Sequence, residues 1–302
     1  MRSTPVAGSV AGSVAASFAA ALVLTLAAGL LPAAAATPAG EPVGESVGTD
    51  ARRSAVFGFK IATFNVLGSQ HTRGRGGFAP GTQRARWTAG AISQRDIDVI
   101  GLQEVQRDQL RVLRNRLPGH RFWPGRSLGD RGVRLQIAFR TKRFRLVDHG
   151  GMTTTFDHQT RPIPWVELRD RRTGRSFYVI DVHNSPRRME RERDRATRKQ
   201  VRLVQKLRAR GRPVFVTADA NERREFYCRM TRRTDLRSAS GGSTRGRTCV
   251  PPQGRLRIDW ILGGGPRVLF SGYREDRGYR VRRASDHALL QARVRVRAPR
   301  RG

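Results

Sequence analysis

The chain is almost without lysine. Lys60, Lys142, Lys199 and Lys206 are the only four among 59 cationic residues, so 55 are arginine. Arginine in place of lysine is what codon drift in a GC-rich genome produces, and it leaves charge unchanged, so this scarcity carries no functional information. Acids are the second shortage. Asp and Glu number 24 against those 59 cations, for a formal net charge of +35. Such a surplus sets up a field that attracts polyanions: nucleic acid, anionic lipid heads or cell-wall phosphates. Cysteine is the third, with two residues; no Cys/His cluster has the composition of a zinc site. Beyond residue 40 there is no apolar run long enough to cross a bilayer. What is present, 38% apolar residues in 302, suffices for a buried core in one large domain or two small ones and excludes wholesale disorder.

Arg2 is the only charge before Glu41, and Ser17 to Leu31 (SFAAALVLTLAAGLL) is an apolar run followed by Pro32 and Ala33 to Ala36. A basic start, an apolar centre and small residues at a cleavage point read as a secretory signal over residues 1–36, cut after Ala36, and hence as an exported protein. The alternative is a retained membrane anchor, because the uncharged stretch from Ser3 to Gly40 is long enough for a bilayer of ~30 Å. Residues 37–55, rich in Gly, Pro, Ser, Thr and acids, read as a flexible linker. Residues 56–297 hold the globular domain, and 298–302 form a short basic tail. In an exported chain Cys228 and Cys249 can oxidise. They bracket a polar stretch without the apolar content to hold itself together, and a disulfide closing it would contribute roughly 3 kcal/mol.

From Phe57 onward, short apolar runs alternate with helical patterns. Strands are expected at 59–66, 99–102, 135–139, 165–168, 177–182, 214–217, 258–262, 268–270 and 289–296. Helices are expected at 84–95, at the stripe of Leu110, Leu113 and Leu117, and over the highly charged 188–210. Many strands with few helices between them predict an α+β fold, two face-to-face sheets with helices outside, rather than a barrel with one helix per strand. No internal repeat is visible.

The informative feature is where polar residues fall. Ile61-Ala62-Thr63-Phe64 runs out at Asn65, Val99-Ile100-Gly101-Leu102-Gln103 at Glu104, and Tyr178 to Val182 at His183. Val214 to Ala218 runs out at Asp219 and Asn221; Asp259 interrupts an apolar run; Ser285-Asp286-His287 precedes the last strand. Each has a bland explanation as a turn residue, a solvated strand end or a helix cap. Burying so many acids and imidazoles separately would be costly, however, and together they point to one cleft at the strand ends.

On these motifs, T-F-N at Asn65, Q-E-V at Glu104, the strand-terminal His183, D-x-N at Asp219 and Asn221, I-D-W at Asp259 and S-D-H at Asp286 and His287, the sequence resembles the endonuclease/exonuclease/phosphatase superfamily with its DNase I-like fold. The resemblance extends over Phe57 to Val296. Ala218 stands where Gly usually precedes D-x-N, and Asn184 follows His183 where an apolar residue is common, which makes Asn184 a candidate substrate contact. The resemblance implies a four-layer α/β sandwich and divalent-metal-dependent hydrolysis of a phosphoester. Hard oxygen donors, Asn65 and Glu104 with Asp286 through water, suit Mg²⁺, with Mn²⁺ as a substitute. Asp259 would fix the tautomer of His287 as general base, His183 would hydrogen-bond a phosphoryl oxygen, and Asp219 with Asn221 would orient water and phosphate.

The charge surplus selects an exported nuclease as the leading expectation, with nucleic acid as substrate. A phospholipase C-type hydrolase acting on sphingomyelin or phosphoinositide is the alternative, though no conspicuous apolar hairpin for entering a membrane is seen; a non-catalytic polyanion-binding protein is a third. Arg187 to Arg195 offers a nucleic-acid surface, but a helix with alternating signs, here Glu190, Glu192 and Asp194, is more often a plain solvated face. No protein partner is inferred.

Overall fold

Strand alternation decides the architecture. In β1 (Val56–Asn65), Phe57, Phe59 and Ile61 pack in one apolar cluster while Ala62 and Phe64 pack in another. Both faces of the strand are buried, each against its own layer. The computed structural model describes residues 56–72, 77–246, 248–253, 257–265 and 267–297; the expected signal segment 1–36, linker 37–55 and tail 298–302 lie outside the described residues. After β1 come α1 (Gly81–Gln94), β2 (Val99–Gln103), α2 (Arg107–Arg116), β3 (His120–Trp123), α3 (Gly129–Gly132), β4 (Leu135–Arg140), β5 (Phe144–Phe156), β6 (Gln159–Asp170) and β7 (Ser176–His183). The second half holds α4 (Glu190–Arg208), β8 (Val214–Asp219), α5 (Arg224–Arg233), β9 (Arg237–Ser238), β10 (Ser243–Arg245), β11 (Thr248–Val250), β12 (Asp259–Gly264), β13 (Val268–Asp276), α6 (Tyr279–Ala284) and β14 (Leu289–Arg297).

Two six-stranded sheets result, in the orders β13-β14-β1-β2-β4-β3 and β5-β6-β7-β8-β12-β9. Both are mixed: β1 with β2 and β7 with β8 are parallel, and the remaining pairs are antiparallel. Phe57, Phe59 and Phe139 of the first sheet meet Phe144, Phe177 and Phe215 of the second across a shared apolar interior. Outside the first sheet, α1 and α2 contribute Ala85, Ile92, Leu110 and Leu113; outside the second, α4 and α5 contribute Val204, Leu207, Phe226 and Met230. This is the four-layer sandwich expected from the sequence.

Alternation also aims the polar strand ends. The face of β1 that carries Phe57, Phe59 and Ile61 continues through Thr63 to Asn65. On β7 the same inward face runs Phe177, Val179, Asp181, His183, and on β8 Phe215, Thr217, Asp219. Register aligns them: Asn65 lies opposite Gln103, His183 opposite Asp219, and Asp219 opposite Asp259. Between the aromatic and catalytic ends sits a polar layer. Gln103 Nε2 donates to Thr63 Oγ1 at 2.9 Å and to Asp181 Oδ1 at 2.6 Å, and Thr217 Oγ1 donates to the same Asp181 oxygen at 2.9 Å. Gly101 makes room for it, since a Cβ there would lie 2.0 Å from Thr217 Oγ1 and 2.2 Å from Asp181 Oδ1.

The disulfide between Cys228 and Cys249 is present and ties α5 to β11. The stretch it brackets differs from expectation in one respect: it reaches the core, with Met230 and Leu236 buried in the helix-side cluster of the second sheet.

Candidate active site

Asn65, the last residue of β1, joins the two sheets. Its Nδ2 donates to Glu104 Oε1 and to Asp219 Oδ2, both at 2.9 Å, and its Oδ1 accepts the Leu67 N–H at 3.0 Å. Expected as an oxygen ligand, Asn65 instead offers its N–H groups to two carboxylates, because its oxygen is engaged by the turn that follows the strand.

Glu104 is the first residue beyond β2 and has φ +64°, a left-handed conformation uncommon for a side chain of this kind. Its Oε2 accepts Gly68 N–H at 3.0 Å and lies 3.0 Å from His71 Nε2. The loop that carries Gly68 and His71 is held by Arg84, a fully buried guanidinium that donates to the carbonyls of Val66 (2.7 Å), Gly68 (3.3 Å) and Leu67, to Ala284 O at 3.1 Å on α6, and to Ala79 O at 2.9 Å.

On the second sheet, Asp219 Oδ2 lies 3.3 Å from His183 Nε2, while Asp219 Oδ1 accepts the N–H of Asn221 at 3.1 Å. Asn221 has φ +49° and donates from Nδ2 to the Asn184 carbonyl at 2.9 Å. Asn184, expected to touch substrate, does not fit that role. Its side chain is fully buried, accepting from Gln200 Nε2 at 2.7 Å and donating to Thr197 Oγ1 at 3.4 Å on α4; only its backbone serves the site, by holding Asn221.

The S-D-H segment enters from the first sheet. Ser285 Oγ donates to Asn65 O at 2.7 Å and accepts His287 N–H at 3.1 Å, which seats His287 beside the end of β1. His287 Nδ1 lies 2.9 Å from Asp259 Oδ1, and its Nε2 3.8 Å from Asp219 Oδ2. Asp286 is exposed. The structure thus brings Asn65, Glu104, His183, Asp219, Asn221, Asp259 and His287 together, with Asp286 at the margin.

The charge states follow from burial and neighbours. His183 is pushed down to about 3 by burial and by the cationic Arg161, against the pull of Glu104. Asp219 is pushed up to about 7 by burial and by the Asp259 charge. Burial thus favours a neutral imidazole at His183 and a protonated carboxyl at Asp219, so their 3.3 Å contact is not a buried ion pair. Burial acts to lower His287, but it is outweighed by the Asp259 hydrogen bond and by the charges of Asp259, Asp219 and Asp286, which raise it to about 10. The expected general base is accordingly an imidazolium at neutral pH, and the group with a proton affinity matched to that pH is Asp219. Glu104 is held well below the usual carboxylate range: burial would raise it, but the hydrogen bonds from His71, Asn65 and Gly68 prevail.

Those donors fit a divalent cation. Glu104 is ionised throughout the physiological range, and its hydrogen bond to His71, together with its charge and that of Asp286, raises the proton affinity of that imidazole, so the two carboxylates favour positive charge at one place. The tightest cluster of acid and imidazole donors among the described residues is a different set, Asp219, Asp259 and His287, in which the His287 imidazolium itself supplies positive charge.

Two participants were not visible in the sequence. His71 stands in a single 3-10 turn, Ser69–Thr72, with no strand to mark it. Phe156, whose ring meets that of His183 edge-on at 4.7 Å, arrives from the far end of β5 by the folding of a hairpin. No sequence signal identifies it.

A model of the Endonuclease/Exonuclease/phosphatase family matches residues 62–287. No curated protein matches the chain. Several solved structures share the fold. A mannosyl-6-phosphatase from Bacteroides thetaiotaomicron is 20% identical, with 78% of this chain and 99% of that one covered and a TM-score of 0.60. The catalytic domain of human nocturnin with bound sulfate is 20% identical, with 78% and 94% covered and a TM-score of 0.62. TDP2 from D. rerio, complexed with a single-strand DNA product, is 17% identical, with 78% and 98% covered and a TM-score of 0.60.

Proposed function

The chain belongs to the Endonuclease/Exonuclease/phosphatase family and is a phosphoric ester hydrolase, and from that premise we propose that it is an exported, Mg²⁺-dependent nuclease cleaving DNA or RNA by attack of water on phosphorus. The observation that carries the reading is the net charge of +35 around a site built for phosphoester hydrolysis. A small phosphate ester needs only a local cationic cluster, whereas a polymer rewards every phosphate neutralised with counterion release. Two proteins of the same fold, nocturnin with bound sulfate and TDP2 with its DNA product, hold oxyanionic groups.

In this reading Asp219, oriented by Asn65 and the Asn221 N–H, accepts a proton from the attacking water. His183 donates its Nε2–H, and the His287 imidazolium, locked by Asp259, faces the phosphoryl oxygens and stabilises charge as it develops there. Glu104, with Asp286, would hold the divalent ion, which when bound relieves negative charge on phosphorus-bound oxygens. Nothing favours a lipid substrate. The β5–β6 hairpin turns at Asp157 and His158, and the exposed large apolar residues among those described, Val147, Val250, Leu269 and Tyr279, are scattered over four elements.

The full chain, assayed on supercoiled plasmid with Mg²⁺ at low salt, should nick it. Activity should disappear in EDTA, return with Mg²⁺ or Mn²⁺, and fall with added salt with a log–log slope of roughly −0.9 per phosphate contact. A protein that leaves DNA and RNA intact while cleaving sphingomyelin vesicles would overturn the proposal.

A further inference from the structure

Two guanidinium groups beside the site have no anion. Arg161 on β6 stands with its Cζ 3.3 Å from the centroid of the Phe156 ring, the same ring that meets His183. Arg134 immediately precedes β4, and its carbonyl accepts the N–H of Val105, the neighbour of Glu104, at 3.2 Å. Both side chains are half-buried. Three other half-buried arginines are ion-paired, Arg95 with Asp276, Arg229 with Asp194 and Arg257 with Glu275, and half-buried Arg169 reaches Ser176 Oγ at 3.4 Å. Arg134 and Arg161 make neither a hydrogen bond nor an ion pair from their side chains to any described residue.

A cation drawn out of water without a counter-ion is destabilising, and two that repel each other are more so. Burial and the neighbouring Arg134 charge push Arg161 down to about 10, and burial lowers Arg134 as well. Stacking on Phe156 compensates Arg161 in part. Glu104 acts on both electrostatically, but neither guanidinium makes a hydrogen bond or ion pair with it. What the pair lacks is an external anion, and a planar fork of N–H donors matches phosphate.

We propose that Arg134 and Arg161 form a second anion subsite, which grips a phosphate of the substrate other than the one attacked. The inference rests on the nuclease reading and narrows it: the preferred substrate carries a second phosphate next to the scissile one, as every internal position of a polynucleotide does. Phe156 serves the subsite by stacking Arg161, which keeps its guanidinium beside His183.

Calorimetric titration of the full chain without added metal tests this with thymidine 3′,5′-bisphosphate against the 3′- and 5′-monophosphates. The wild type should bind the bisphosphate about tenfold or more tightly than either monophosphate. In Arg161→Gln and in Arg134→Gln that advantage should shrink to about twofold, and Arg161→Lys should retain part of it. Equal wild-type affinity for all three ligands would overturn the subsite, as would Gln variants that keep the full advantage. Equal weakening of mono- and bisphosphates in the Gln variants would also overturn it, by moving both arginines to the attacked phosphate. Should Arg161→Gln fail to show a cooperative melt, Arg134→Gln decides. A wild type that prefers the bisphosphate yet leaves plasmid and RNA intact keeps the subsite and removes the nuclease reading; one that nicks plasmid without the preference does the reverse.

Discussion

One end of the space between the sheets is aromatic and the other is ionisable, though both are built from the same alternating positions of the same strands. At the first end Phe59 stacks on Phe177 at 4.5 Å and meets Phe215 edge-on at 5.3 Å. At the other end of those strands Asn65 donates to Asp219, and His183 lies 3.3 Å from the same carboxyl oxygen. The aromatic end fixes register, because a slip of one residue would throw its rings to the helix side; the ionisable end inherits that register and gains its aim from it. A division of labour follows. Apolar burial at one end holds in place, at the other, a set of charges that would not assemble by themselves.

Substitution at the two ends should therefore fail in opposite ways. The largest effect is expected at the ionisable end: Asp219→Asn and His287→Ala should each lower kcat/KM by ~10²-fold or more, with melting temperatures close to the wild type. The pH profile sharpens this. The wild-type kcat/KM should rise through about 7 as Asp219 loses its proton and fall near about 10 as His287 loses its own; the residual activity of Asp219→Asn should lack the acid limb. An acid limb that survives in this variant would remove Asp219 as the base. At the aromatic end, Phe59→Ala should cost about 3–5 kcal/mol in denaturant unfolding, while the folded fraction keeps near-normal kcat/KM. A disproportionate loss of turnover in the still-folded variant would show that the ends are not separable.

The smallest effect belongs to the layer between them. Burial holds the Asp181 carboxyl well above its ordinary value, against hydrogen bonds from Gln103 and Thr217 that favour its charge. A carboxyl raised in the folded state binds its proton there while the unfolded chain has released it, so wild-type stability falls as pH climbs above the ordinary value near 4. Asp181→Asn cannot ionise and still accepts both hydrogen bonds. It should equal the wild type in acid and melt a few degrees higher at neutral pH; a lower neutral melting point would mean that Asp181 is charged.

The strands that carry the site were legible because apolar runs flanked their polar ends: Asn65, Glu104, His183, Asp219 and Asp259 each terminate, begin or follow a strand built from Val, Ile and Phe. β5 was not, since as an outer strand it alternates partly covered residues with exposed ones such as Arg145 and His149 and shows no run. α5 was hidden by its arginines, although Phe226, Tyr227 and Met230 make one buried face. His71, Phe156 and Arg161 reach the site through a loop pinned by Arg84 and a hairpin folded back from elsewhere, and such long-range placement leaves no local pattern. Protonation was hidden for a similar reason: whether His287 is a base or a cation depends on Asp259 and Asp219, which only folding brings to it.

The left-handed backbone at Glu104 and Asn221 sets catalysis and robustness against each other. Both residues leave their strands through a conformation that suits glycine, and a Glu held there stores about 1 kcal/mol or more of strain. A library randomised at position 104 and screened only for survival of heating should thus drift towards glycine and lose hydrolysis as it does so; enrichment of glutamate under that screen would mean that its hydrogen bonds outweigh the strain. The persistence of glutamate would then be a record of selection for turnover, written in a backbone angle.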